Sequence, residues 1–248
     1  METFYEWFLV LYEDTGINLP FMYDDYDRGR ILNGLWATIK LSAICVLFSV
    51  IIGMVGAWLQ GSPWKVTRRV VNVYIQLFRN TPPLVQLYFF YFAVGILIPR
   101  VENDWGGTSP LIDSFGWAVI SLSFFAGAFN VEIFRSGIEA VPKSTIEAAK
   151  ALGFSRLQIY KDITLPLALR VVIPSLNNNL VNLVKTTTLA YAIAVPELLY
   201  ESNQIWSDNV NVTEMMLFLL VAYFVLVGIL VWAMNSWDRS LKIPGFGQ

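Results

Sequence analysis

The chain has 248 residues, 56% of them hydrophobic and only 15% charged, with a formal net charge of −2. A soluble core cannot absorb that much apolar surface, so the composition points to a polytopic membrane protein. With no histidine and one cysteine, Cys45, the chain excludes His-ligated metal sites, Ser-His-Asp triads, imidazole proton relays and an intramolecular disulfide.

The first thirty residues carry seven carboxylates and two arginines, the reverse of a secretory signal, so no cleaved leader is expected. Phe4, Tyr5, Trp7, Phe8 and Tyr12 suit either an interfacial helix or a short helix packed on the external ends of a bundle. Five stretches then approach the length a membrane crossing needs, roughly 32–59, 75–98, 114–135, 168–195 and 214–236. Five spans put the termini on opposite sides. The segments 60–80, 132–170 and 238–248 hold twelve Lys or Arg against five acids, whereas 1–31, 99–113 and 197–214 hold three against fourteen. Basic residues collect on the cytoplasmic side, so the N-terminus is expected outside and the C-terminus inside. The resulting expectation is an all-α membrane protein with an external segment 1–31, a transmembrane domain 32–236 containing a cytoplasmic loop 139–166, and a cytoplasmic tail 237–248.

Within these spans some residues stand out. Lys40 lies near the external end of the first span and reads as snorkelling. Arg79-Asn80-Thr81-Pro82-Pro83 interrupts the second span, because each proline lacks a donor and restricts its neighbour. Broken backbone at membrane depth borders a wet cavity or is buried in protein; alternatively, an interfacial helix 64–78 turns at the prolines into the membrane. Lys185 sits inside an otherwise uncharged run, where an ionisable group costs at least ~2.5 kcal/mol and faces the bundle interior or water. It either lines a cavity with Thr186, Thr187 and Thr188, or is a structural cation paired with Glu132 or a helix C-terminus. Gly53, Gly56, Gly116, Gly127 and Gly137 permit close helix approach. No repeat or linker divides the chain. Asn211-Val212-Thr213 matches a glycosylation sequon, a weak signal.

The stretch 147–166, EAAKALGFSRLQIYKDITLP, is polar and rich in small residues between two apolar runs. Pro142 stops the helix before it. Ser144 and Glu147 form a capping-box pattern, so a helix is expected from about Thr145 to Leu152, ~12 Å long. Gly153 would close it in the left-handed conformation. Ser155 and Gln158 offer a second box, opening a second short helix that ends before Pro166. Ala148, Ala149 and Ala151 keep the first helix thin, so that another protein could approach it closely.

The spacing Glu147-Ala148-Ala149, three residues, Gly153, nine residues, Ile163, one residue, Leu165-Pro166 resembles the EAA loop of ABC importer permeases at each defining position. LFRNTPPLVQLYFFYF at 77–92, EIFRSGIEAVPKS at 132–144 and NLVKTTTLAYAIAVPELL at 182–199 resemble the polar amino acid branch of that family. The resemblance implies a type I ABC importer permease fold in a bacterial inner membrane. It implies an ATPase dimer coupled through Glu147, Ala148, Ala149, Gly153, Phe154, Ser155 and Arg156. It also implies a second permease, itself or a paralogue, and an extracytoplasmic binding protein. ATP and Mg would be bound by the ATPase, leaving this chain without a cofactor and without catalysis of its own. Candidate substrate-path residues are Arg79, Thr81, Pro82, Gln86, Lys185, Thr187 and Thr188. Where relatives often read Lys-Asp-Thr-Ser-Leu, this chain has Lys185-Thr186-Thr187-Thr188-Leu189. Without that carboxylate the site is more positive, which favours acidic or amide amino acids.

Other readings meet physical objections. Ala149, Gly153 and Ile159 have helix-turn-helix spacing, and a membrane-anchored DNA-binding regulator would use it. Residues 139–170, however, carry only five basic against three acidic side chains, a weak field for phosphate. Gly137 to Ser144 falls one residue short of a Walker A loop, and Pro142 removes a backbone donor there. An ion-coupled secondary transporter would need an intramembrane carboxylate relay or inverted repeats, and neither is visible.

Overall fold

The computed structural model describes residues 2–102 and 105–241. Helix α1 spans Glu2–Thr15 and α2 Asp25–Gln60, followed by α3 (Lys65–Arg79) and α4 (Pro83–Tyr88). A π-helical turn Phe89–Val94 and a 3-10 turn Gly95–Leu97 extend α4. Strands β1 (Arg100–Glu102) and β2 (Thr108–Pro110) form an antiparallel hairpin with Val101 opposite Ser109. The remaining helices are α5 (Ser114–Ala140), α6 (Lys143–Ala151), α7 (Arg156–Gln158), α8 (Leu165–Thr186), α9 (Leu198–Asn209) and α10 (Val212–Leu241).

Asp25–Gln60, Ser114–Ala140 and Val212–Asp238 are long and apolar enough to cross a membrane, and Pro83–Leu97 is a shorter apolar helix. The expected second and fourth spans are the less apolar ones. One is broken at residues 80–82, and α8 carries Arg170, Asn177, Asn178, Asn179 and Lys185. Helix α2 begins at Asp25, inside the expected external segment. The Asp24 carboxylate accepts the Tyr26 N–H at 2.8 Å, and Asp25 and Asp27 occupy the first turn, where their charge suits the helix dipole. The expected loops 99–113 and 197–214 contain the hairpin and α9 respectively. The expected cytoplasmic tail lies largely outside the described residues.

The chain divides into two compact units. The first comprises 1–44, 84–121 and 184–228, the second 45–83, 122–183 and 229–248. In the first, Phe21, Ile31, Leu198, Ile205, Met215 and Leu219 form the apolar core. Glu197 is fully buried there. Its carboxyl oxygens accept the Leu199 and Tyr200 N–H groups at 3.0 and 2.9 Å and the Tyr223 hydroxyl at 2.9 Å. The Leu198 N–H goes to the Thr38 hydroxyl at 3.0 Å. The opening donors of α9 are thereby satisfied by one carboxyl and one hydroxyl. Gly34 lets α2 approach closely, since a Cβ there would lie 3.1 Å from the Leu198 Cα. Asn211 is buried with its amide donating to the Asn18 carbonyl at 2.9 Å, which leaves the sequon nitrogen engaged inside the protein.

In the second unit, Ala57, Val71, Ile75, Val131, Phe134, Val172, Leu176 and Leu180 make the core. A buried polar ladder crosses it. The Asn130 amide donates to Ser49 Oγ at 3.2 Å, and its Oδ1 accepts the Asn179 amide at 2.7 Å. With both ends satisfied, the ladder fixes helix register without an orphaned polar group. Gly53 and Gly56 bring α2 onto Asn130 and Val131 of α5, and Gly137 brings α5 onto Val172 of α8. Gly116, by contrast, faces Ile112 and Asp113 of its own segment. Gly56→Ala is expected to lower thermal stability in detergent, with an overpacking cost of about 1–3 kcal/mol, because its Cβ would strike Val131. Gly228→Ala, whose Cβ meets nothing within 4 Å, is expected to leave stability unchanged or slightly raised.

Candidate functional site

Pro142 is the N-cap of α6, without a side-chain cap, and its carbonyl accepts the Thr145 N–H at 3.1 Å. Proline's fixed φ, −57° here, already suits a helix start. The helix therefore begins at Lys143, and Ser144 lies inside its first turn, so the expected first capping box does not form. The other end matches its sequence signal. Gly153 has φ +82°, its N–H donates to the Lys150 carbonyl at 3.0 Å, and the Phe154 N–H donates to the Ala149 carbonyl at 3.2 Å. That pair of bonds is a Schellman motif.

Ser155 then makes the second box. Gln158 N–H donates to Ser155 Oγ at 3.3 Å, and Ser155 N–H to Gln158 Oε1 at 2.9 Å. The helix it opens does not stop at Pro166. It widens into a π-helical turn over Ile159–Thr164, where the Leu165 N–H reaches the Tyr160 carbonyl, and continues as α8. The wider turn makes room for the Pro166 ring, which would otherwise meet the carbonyl four residues back.

Glu147, Ala148, Gly153, Phe154, Ser155 and Arg156 are all exposed on this segment, whereas Ala149 is buried. Thinness at the outer surface thus comes from Ala148 and Ala151, while Ala149 packs inward. Leu152 and Leu157, which the sequence reading passed over, are largely exposed beside Phe154. Their signal was the apolar residue on each side of the Gly153–Ser155 turn. Three exposed apolar side chains around the capped end of α6 and the capped start of the helix that follows form a compact surface suited to a protein partner. A groove of about 570 Å³ runs beside it, lined by Trp58, Leu59, Pro63, Ile138, Leu157 and Tyr160 among others. Partial burial raises the Tyr160 pKa above its ordinary value.

The candidate path residues fall in both units. In the second, the Arg79 guanidinium stands 3.8 Å from the Glu132 carboxylate and 5.2 Å from the centre of the Phe129 ring. Glu132 in turn pairs with Arg135 at 2.9 Å, and Arg135 with Glu139 at 2.8 Å. Glu132 is thus engaged by arginines, not by Lys185. Thr81 and Pro82 are exposed in the break, where the Thr81 hydroxyl donates to the Leu77 carbonyl at 2.7 Å.

In the first unit Gln86 and Thr187 are buried. Thr187 donates to the Val184 carbonyl at 2.7 Å and lies 3.5 Å from the Ser42 hydroxyl. Thr188 is half-buried and donates to the Lys185 carbonyl at 2.8 Å. Lys185 occupies the last turn of α8 and is exposed, with no ion pair among the described residues. Its place at a helix C-terminus agrees with the dipole alternative. Beyond it the chain tightens into a 3-10 helix over Thr187–Ile193. Lys40 is exposed over the Phe115 ring at 5.0 Å. Gly137 is inside α5, so no phosphate-binding loop exists there.

Known proteins place this arrangement. Solved structures include an amino acid ABC transporter crystallised with histidines, which superposes with a TM-score of 0.76 at 25% identity over 90% of this chain and 99% of that one. The MetNI methionine ABC transporter in inward-facing form shares the fold, with a TM-score of 0.72 at 20% identity over 89% of this chain and 100% of that one. Among curated relatives, the putative glutamine transport system permease protein GlnP of Rickettsia felis is 34% identical, covering 86% of this chain and 93% of the relative. The glutamate/aspartate import permease protein GltJ of Escherichia coli K12 is 26% identical, covering 88% and 89%. A family profile, binding-protein-dependent transport system inner membrane component, matches residues 49–243. By that match, joined to the helix α6–Gly153–Ser155 segment and its spacing, the chain belongs to the inner membrane components of binding-protein-dependent transport systems.

Proposed function

We propose that this chain is the permease subunit of an ATP-driven importer of polar amino acids. It crosses the bacterial inner membrane five times, with the N-terminus outside and the C-terminus inside. The two less apolar spans are the broken 75–98 and the Lys185-bearing 168–195. An ATPase dimer, which binds ATP and Mg, docks on Glu147, Ala148, Gly153, Phe154, Ser155 and Arg156, with Leu152 and Leu157 supplying the apolar contact. Closure of the ATPases moves the docked segment, and the spans alternate between outward and inward openings. Coupling of this kind needs the ATP-bound and free ATPase to contact the segment differently. A second permease completes the path, and an extracytoplasmic binding protein delivers the solute. Lys185 and Thr188 in the first unit supply a cationic and a hydroxyl group suited to a carboxylate, which favours glutamate, aspartate, glutamine or asparagine. The relatives named for glutamine and glutamate/aspartate support that choice.

The observation that carries the reading is the exposed, doubly capped segment with its apolar trio. Tagged protein extracted from native membranes in mild detergent is expected to bring down an ATPase. Glu147→Arg, a charge reversal on an exposed helix face with no ion partner among the described residues, is expected to lose that ATPase while remaining folded. If no ATPase accompanies the wild-type chain under any condition that keeps it folded, the importer reading fails. ATP-independent uptake would then favour an ion-coupled transporter.

A further inference from the structure

Helix α1 carries more apolar surface than the protein covers. At roughly 100° per residue, Trp7, Leu11, Phe8, Tyr12, Tyr5 and Leu9 follow one another round the helix over an arc of about 200°. Only the middle of that arc, Tyr5, Phe8 and Leu11, is half-buried. Trp7 on one flank and Tyr12 and Leu9 on the other are 57, 41 and 42% exposed. Thr15, which also falls on the arc, donates its hydroxyl to the Leu11 carbonyl at 2.6 Å. Glu6, Glu13 and Asp14 occupy the opposite side together with Val10, all of them exposed.

Both ends of α1 are tied to places where long apolar helices begin. Near its first turn, the Arg28 guanidinium at the start of α2 stands 4.3 Å from the centre of the Tyr5 ring. Just after its last turn, the Asn18 N–H donates to the Glu214 carboxylate at 3.4 Å, and the Asn18 carbonyl accepts the Asn211 amide at 2.9 Å, both at the start of α10. Those two starts lie side by side, because the Asn209 amide donates to Asp27 at 3.3 Å and the Phe21 and Phe218 rings are 4.5 Å apart. Helix α1 therefore runs across the ends of α2 and α10 and not along them. Directly beyond that level both helices turn bare apolar faces outward: Leu32 and Trp36 of α2 and Leu217 and Leu220 of α10 are between 59 and 69% exposed. Leu32 is one turn from Arg28, about 6 Å along the helix. In a membrane such faces are covered by acyl chains, so the lipid boundary comes within a turn or two of α1.

We infer that α1 is a membrane-surface helix, lying in the lipid headgroup layer at the external ends of α2 and α10 with Trp7 and Tyr12 reaching the acyl boundary and Glu6, Glu13 and Asp14 in water. The inference rests on the assignment of α2 and α10 as spans proposed above. Tryptophan and tyrosine suit that depth, since each has an apolar ring body and a polar edge. The chain has no Lys or Arg before Arg28, so the carboxylate side of α1 matches the ammonium groups of zwitterionic headgroups and is repelled by an anionic surface.

The test uses the full-length chain with its co-purifying subunits, without any extracytoplasmic binding protein, in nanodiscs of phosphatidylethanolamine and phosphatidylcholine. Cys45, the only cysteine, is replaced by Ala, and a fluorophore is attached at Trp7→Cys, Tyr12→Cys, Glu6→Cys or, on the exposed face of α10, Leu217→Cys. Quenching by lipids brominated near the top of the acyl chain is compared with quenching by iodide in the water. The labels at Trp7 and Tyr12 are expected to be quenched several-fold more by brominated lipid than the label at Glu6, with the order reversed for iodide. If they follow Glu6 while Leu217 reports lipid, α1 stands in water and the inference is overturned with the spans intact. If iodide reaches Leu217 and brominated lipid does not, the span assignment fails and the inference falls with it. Trp7→Asp combined with Tyr12→Asp gives a second readout, since both side chains are exposed and the half-buried strip is left whole. Amide hydrogen exchange over residues 5–15 is expected to quicken several-fold in the nanodisc, with exchange in α10 unchanged. Unchanged exchange in α1 would mean that the protein alone holds the helix, which overturns the inference.

Discussion

Gly153→Pro is expected to abolish ATP-driven uptake while the chain remains inserted in the membrane at wild-type abundance. Proline holds φ near −65°, whereas Gly153 sits at +82°, so the Schellman turn cannot form with proline in place. The substitution also removes the N–H that donates to the Lys150 carbonyl. Nothing lies within 4 Å of a Cβ built at Gly153, so the damage is to backbone direction and not to packing. Loss of the turn frees α6 from the Ser155 capping box, and Phe154, Leu152 and Leu157 no longer share one surface. A graded series separates conformation from chemistry. Gly153→Asn, which tolerates the left-handed region, is expected to retain most uptake. Gly153→Ala bears a strain of roughly 1–2 kcal/mol and is expected to lose part of it. Uptake of labelled amino acid into vesicles with and without ATP, set against chain abundance in the membrane, reads the series. Wild-type uptake by Gly153→Pro would remove the segment from the mechanism.

The parts of this segment legible in the sequence are those fixed by local chemistry. Gly153 is a left-handed helix stop because a residue with a Cβ is strained there, and Ser155 with Gln158 is a reciprocal cap whose two bonds lie within four residues. The parts misread depend on competition between neighbouring signals. Ser144 with Glu147 has the same box pattern, but Pro142, already at a helix-compatible φ, starts the helix first. Pro166 reads as a stop, yet the π-helical turn ahead of it absorbs the ring, so α8 runs through. Likewise Lys185 announces itself by charge in an apolar run, while its exposure, and the absence of an ion partner for it among the described residues, appear only once the elements around it are placed. Helix crossings at Gly53, Gly56 and Gly137 were legible as close approach in general. Which residue each glycine accommodates is a tertiary fact.

Glu197 gave no comparable signal. Glutamate is not among the favoured N-cap residues, and Pro196 beside it reads as an interruption. Its role comes from distant partners, the hydroxyls of Thr38 on α2 and Tyr223 on α10, which donate to its carboxyl at 3.5 and 2.9 Å. Glu197→Ala is therefore expected to have the largest stability effect of any single change in the first unit. It leaves the Leu199 and Tyr200 N–H groups and the Tyr223 hydroxyl without their buried acceptor, at a cost of about 1–3 kcal/mol for each group that water does not reach. The sum is a large fraction of a domain's whole stability. Glu197→Gln keeps one oxygen of nearly the same shape and is expected to lose less, because the Tyr223 hydroxyl can turn to accept from the new amide. Thr38→Val should fall between them, since it orphans only the Leu198 N–H. The measurement is the thermal midpoint of each variant in detergent, with Tyr223→Phe combined with Glu197→Gln to test coupling. If Glu197→Ala melts with the wild type, the carboxyl is not what holds α9 to α2 and α10. If it melts far lower while Glu197→Gln is intermediate, the buried carboxyl is the anchor that orders the segment following Lys185. In that case variants of Lys185, Thr187 and Thr188 report on transport only in a background where Glu197 is intact.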